Sequence, residues 1–302
     1  MQKSTIILSL AMFSLGMQIA FGQGCSDAGF CTLNSIKPAN ENSMTTPPNQ
    51  IKIGAFYGTA DNSITVWGNY LEYNRQVTDN FGLDAKVTTL AQSGNNINTF
   101  GAGDLFLSGN YHQQNFNLTL GAKIPFADGN KKLENLSLPM DYQSSLGTVD
   151  LVASVGYEIK KLHFVLAYQQ PLTQNKNQFF SEIYPTDSPL RNFQTTNAFK
   201  RSGDILLRIS YPINVVQNLK ITPSLLPIFH LTNDKYTDIT GVEKEITGSQ
   251  GLTLNGNIYL DYNINTTNAL QLNIGMPFVV RDARPDGLTR GFIANLEYRI
   301  GF

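Results

Sequence analysis

The chain has 302 residues, a formal net charge of −1, 15% charged residues and 11% aromatic residues. A near-neutral balance with no basic run removes any electrostatic reason to expect a nucleic-acid partner. Beyond residues 1–22 no apolar run approaches the roughly 20 residues a membrane helix needs, so any crossing of a bilayer falls to strands.

Residues 1–22 read as a secretory signal peptide. Lys3 supplies the positive start, Ile6 to Leu15 the apolar core, and Ala20-Phe21-Gly22 a small-x-small cleavage site. The mature chain then begins at Gln23. Cys25 and Cys31 are the only cysteines, and export carries them to an oxidising compartment, where they read as a small disulfide loop. Two other readings stay open. Lipidation of Cys25 is one, although Gly22 stands where a lipoprotein start wants an aliphatic residue. A C-x5-C metal or redox pair is the other, with a spacing that matches neither structural zinc nor the usual redox motif.

Residues 23–50 are polar, contain Pro38, Pro47 and Pro48, and show no periodicity. They form an extended segment that either hangs free or enters a barrel as a plug.

From Ile51 to Phe302 period-2 runs follow one another, centred on 51–59, 64–75, 81–91, 104–112, 116–126, 149–159, 162–172, 204–213, 219–230, 252–263, 269–280 and 291–302. The last is representative: Phe292, Leu296, Tyr298, Ile300 and Phe302 face one way, and Asn295, Glu297 and Arg299 the other. The links alternate in length. Residues 76–80, 113–115, 160–161, 214–218 and 265–268 are short, while 92–103, 127–148, 173–203, 232–251 and 282–290 are long, with a short outlier at 60–63. Greek-key sandwiches give no such rhythm. The expectation is therefore an all-β fold, a transmembrane up-and-down antiparallel β-barrel of twelve strands over residues 51–302, with both termini periplasmic.

Alternation then assigns the charges. Lys52, Asp84, Lys86, Asp104, Lys123, Asp150, Glu158, Asp204, Arg208, Asp261, Glu297 and Arg299 are expected to line the lumen. On the lipid side a Lys or Arg near the midplane costs about 2–4 kcal/mol. The mixed signs fit either a bracing ion-pair network or a solute-selecting ring. Of the histidines, His163 is the one expected inside, while His112 and His230 are given no lumen role. Tyr57, Trp67, Tyr111, Tyr157, Tyr168, Tyr211 and Tyr262 are candidates for interfacial aromatic girdles. No G-x-S-x-G, Walker, H-E-x-x-H or paired-cysteine metal motif occurs, so no catalytic, cofactor-binding or metal-binding residue is expected.

Gly121-Ala122-Lys123-Ile124-Pro125, then Leu138-Pro139 and Ser145-Leu146-Gly147-Thr148-Val149-Asp150-Leu151, resemble the outer-membrane transporters grouped as the "MetA-pathway of phenol degradation" family. The likeness runs from Gly103 to Phe302, and the start of the mature chain is similar to exported proteins of Bacteroidetes-type bacteria. Tyr298, Ile300 and Phe302 resemble the signal read by the outer-membrane insertion machinery. The resemblance implies a barrel in the outer membrane of a Gram-negative bacterium, in contact with its lipid and passing small, hydrophobic solutes. Two other classes are weighed against a passive channel: a lipase- or protease-like barrel hydrolase using His163, and a non-conducting surface-binding or structural barrel.

Overall fold

A computed structural model describes residues 33–38, 47–287 and 291–302. The signal peptide, Cys25 and Cys31 lie outside the described residues. Twelve long strands carry the fold: β1 (Asn49–Thr59), β2 (Thr65–Gln76), β3 (Phe81–Gly94), β4 (Ile97–Gln113), β5 (Phe116–Pro125), β6 (Asp150–Ile159), β7 (Leu162–Pro171), β8 (Asp204–Ser210), β9 (Leu219–His230), β10 (Gly251–Asn263), β11 (Asn268–Val279) and β12 (Phe292–Gly301). Each pairs antiparallel with its chain neighbours. β1 also pairs with β12 without a break from Gln50↔Gly301 to Thr59↔Phe292, so the sheet closes into an up-and-down barrel. The extended segment accordingly stops short of residue 50, because Asn49 and Gln50 already pair in β1.

The barrel is apolar outside and charged inside. Leu120 is 60% exposed and Leu166 54%, whereas Lys123 and Asp150, on the opposite faces, are fully buried. A water-soluble sandwich would reverse this, and an outer wall of this kind fits lipid. All seven candidate girdle residues point outward, as do Tyr298 and Phe302.

One end of the barrel carries the short turns and the other the long links. The expected long loop over residues 92–103 does not exist. β3 and β4 instead run on as a ladder to Gly94↔Ile97, and the turn closes on Asn95 and Asn96, both at positive φ. Asparagine tolerates that conformation, and two such residues match the twist of a hairpin. The remaining long links fold inward as a dome. Leu138, Tyr142, Phe179, Leu190 and Phe193 pack on Ile64, Val66, Leu90 and Ile97 of the rim, and Met140, Leu146, Phe199 and Ile246 tie three links to one another.

Candidate functional site

The lumen gathers buried charge, and strand register determines which charges meet. Arg299, Lys52, Glu72 and Lys86 are successive cross-strand partners through β12, β1, β2 and β3, and the same row continues through Phe106 to Lys123 and Asp150. Neighbours on one face of an antiparallel sheet lie within side-chain reach, so the row becomes a set of ion pairs. Lys52 Nζ is 2.9 Å from Glu72, and Lys123 Nζ is 3.2 Å from Asp150. Asp150 also accepts hydrogen bonds from Thr148 Oγ1 at 2.6 Å and from Gln169.

A second group centres on Glu297. Its carboxylate accepts from Tyr70 Oη at 2.5 Å, Arg299 Nε at 2.6 Å and Lys37 Nζ at 2.8 Å, while Arg299 reaches Asp261 at 3.3 Å. Tyr70 crosses β1 to do this, and Gly54 makes the crossing possible. A Cβ on Gly54 would overlap the tyrosine ring. Lys86 Nζ stacks over the same ring, 4.2 Å from its centroid.

Lys37 belongs to the short described stretch ahead of β1. Asn34 of that stretch accepts a hydrogen bond from Lys52, and Leu33 and Ile36 pack on Phe106, Val152, Ala167, Leu206, Leu226 and Ile228 of the inner wall. The contacts of Leu33–Pro38 are thus with inward-facing residues from both sides of the barrel.

The third group sits at the long-loop end. His230 is buried, with Nδ1 2.7 Å from Asp204 and Nε2 2.8 Å from Asp234. Arg201 binds Asp204 at 2.6 Å, and Arg281 binds Asp286 at 3.2 Å and the Ser249 carbonyl at 2.7 Å. These contacts clamp the links over 172–203, 231–250 and 280–291 to the tops of β8 and β9. Among the described residues no His, Cys, Asp and Glu group could hold a metal ion. In this cluster the two carboxylates take opposite nitrogens of one ring.

Lys52, Lys86, Lys123, Asp150, Asp204, Arg208, Asp261, Glu297 and Arg299 are buried, and Asp84, Asp104 and Glu158 are half-buried. Asp84 accepts from Asn74 and Asn110, each at 2.5 Å. Asp104 accepts from Ser145 at 2.6 Å. Glu158 and His163 approach across the β6–β7 ladder at 3.8 Å. Arg208 donates to the Tyr259 hydroxyl two strands away. His230, given no lumen role from the sequence, is the deeply buried histidine, and His163 is half-buried beside Glu158. Parity within β9 contained the signal: Lys220 must face inward, and His230 lies an even number of positions further on. Tyr70, Glu72, Lys37, Arg201 and Asp234 were likewise missed. Strand β2 is aromatic on both faces, and the other three precede their strands or lie in links.

No protein-family model matches the chain, and no curated protein matches it. Among solved structures it is similar to the COG4313 outer membrane channel from Pseudomonas putida F1, with a TM-score of 0.58 and 16% identity over 88% of this chain and 99% of that one. The chain has the fold of an outer-membrane channel. The NanC porin, at a TM-score of 0.44 and 7% identity over 84% and 98%, and the KdgM porin, at 0.42 and 10% over 83% and 99%, differ more in shape. In this fold the interior described above is crossed by ion pairs on one level and covered by the dome on another.

Proposed function

We propose that the protein is a passive channel for small solutes in the outer membrane of a Gram-negative bacterium, held shut by its own N-terminal segment. The observation that carries this reading is the Lys37–Glu297 pair at 2.8 Å, together with Leu33 and Ile36 seated on the apolar inner wall. A segment pinned by one buried ion pair and two aliphatic side chains occupies space a solute would need. Twelve strands enclose a bore between that of eight-stranded barrels, which side chains fill, and that of sixteen-stranded ones, which leave an aqueous channel. The apolar outer wall supports a place in lipid. The signal peptide supports export, and Tyr298, Ile300 and Phe302 would present the chain to the insertion machinery.

The hydrophobic solute implied by the family resemblance would need the apolar patch formed by Phe106, Leu206 and Ile228. Leu33 and Ile36 already fill it. For a barrel hydrolase, a histidine must offer a free nitrogen to a nucleophile. Both nitrogens of His230 are engaged by carboxylates, and Nε2 of His163 points at Glu158.

Planar-bilayer recordings of the full chain and of a variant lacking residues 23–46 test the reading. A closed or flickering full-length protein and a steadily conducting deletion are expected. Equal conductance removes the plug, and silence in both removes the channel in favour of a structural or surface-binding barrel.

A further inference from the structure

The short-turn end of the lumen widens into a vestibule of about 570 Å³. That is the size of a small-ligand site, but its lining is unlike the apolar walls usual for one. Among the described residues no Val, Leu, Ile, Met, Phe, Tyr or Trp lines it, and eight of the described lining residues are asparagines, among them Asn74, Asn110, Asn117 and Asn263.

Most of the charged side chains around it are already engaged. Lys37 and Arg299 are bound to Glu297, Lys52 to Glu72, and Asp84 is held by two side-chain amides. Arg75, at the rim, is the cation with no carboxylate against it among the described residues. What remains is a wall of carboxamides and hydroxyls, each able both to donate and to accept, set among Pro38, Pro47, Pro48 and Ala269. Ser35 Oγ and Asn74 Oδ1 are buried there without a partner. The same chemistry continues up the lumen, where Asn255, Asn257, Asn273 and Asn295 leave buried amide atoms unpaired, Asn273 and Asn295 side by side in register.

We propose that this vestibule is a binding site for a small uncharged polyhydroxylated solute, a sugar or polyol of about disaccharide size. A hydroxyl donates and accepts like a carboxamide, so a row of such groups pairs with the wall without stripping water from a charge. An apolar solute would leave the amides unpaired, and an anionic one would find only Arg75, at the rim, not already bound to a carboxylate. The inference builds on the channel reading only in placing the vestibule on the solute's path.

Calorimetric titration of the full-length protein in detergent with maltose tests it, with lactobionate as the anionic probe and cyclohexanol as the apolar one. Maltose is expected to bind in preference to both, and Asn117→Leu with Asn263→Leu to weaken it about tenfold, the equivalent of two neutral hydrogen bonds. Each single variant should lose about threefold, which keeps the test open if the double variant fails to fold. Stronger binding of lactobionate, directed by Arg75, overturns the proposal. So does preference for cyclohexanol, or maltose binding indifferent to both substitutions. Failures are separable: maltose binding without any conductance sinks the channel and leaves the site, and conductance without maltose binding does the reverse.

Discussion

Lys37 Nζ lies 2.8 Å from the Glu297 carboxylate across 260 positions of chain, so a residue ahead of the first strand is bound to the last strand. Removing one member of a buried pair costs about 3–5 kcal/mol when the other is left stranded. Glu297 keeps Tyr70 and Arg299, so Lys37→Met should fall at the low end of that range. The expected result is longer open times in single-channel recordings with the barrel intact. A variant as closed as the parent would show that the pair does not hold the segment.

Gly54 lets the Tyr70 ring lie across β1. Gly54→Ala should push the ring off Glu297 and lower the temperature at which the barrel loses its heat-modifiable gel mobility. Tyr70→Phe, which deletes only the hydroxyl, should cost about 1.5–3 kcal/mol, the range for a hydrogen bond to a charged group. If Gly54→Ala melts with the parent, the ring does not need that space.

Leu120 faces outward and Thr119, its neighbour, is buried in the lumen. Leu120→Arg should therefore reduce folding into liposomes by about 2–4 kcal/mol if the position lies near the bilayer midplane. The matched Leu120→Ala variant should cost far less. Equal effects of the two would place that face away from lipid.

His230 bridges Asp204 and Asp234 and so fastens the dome to β8 and β9. His230→Ala removes the bridge between Asp204 and Asp234, leaving them Arg201 and the Ser202 amide, and protease cleavage within residues 172–203 or 231–250 should become fast while the barrel survives. Asp234→Asn keeps one bridge and should give an intermediate rate. Loops that resist protease in His230→Ala would show that the apolar clusters alone hold the dome.

The hairpin over Lys235–Thr237 and Glu243–Glu245 turns on Asp238, whose carboxylate accepts from Thr240 and Val242 amides and pairs with Lys244 at 2.7 Å. Lys244 first, then these donors, hold the Asp238 carboxyl well below the usual range. A group with a depressed folded pKa stabilises above its unfolded value, about 3.9, and that contribution fades as pH falls through the folded value. Amide protection at Thr240 and Val242, corrected for the intrinsic exchange rate, should stay constant from pH 7 to about 5 and fall relative to the barrel in more acidic solution. Asp238→Asn should abolish that dependence.

Strand count, strand parity and the inward charges were legible because a period-2 face admits only one solvent. Leu118, Leu120 and Ile124 could not share a face with Lys123. The hairpin at Asn95–Asn96 was not legible, since Thr99, Gly101 and Gly103 break the apolar alternation there and only positive φ at two asparagines reveals the turn. The dome was hidden for another reason. Phe179, Phe193 and Phe199 lie in links without periodicity, and their burial is decided by contacts with distant rim residues. The partners of Glu297 required register, which parity alone does not supply.

The unbroken seam between β1 and β12 has a consequence for the order in which the molecule is made. Glu297 sits on β12, the strand that closes the sheet against β1, so the anchor for Lys37 is not in place until β12 is. Contacts spanning the whole chain are the slowest to form, because the entropy of closing so long a loop is lost before any of them forms. Closure of the seam and the Lys37–Glu297 contact are therefore late steps, and a barrel lacking β12 would leave Lys37 without Glu297 beside an open edge of β1.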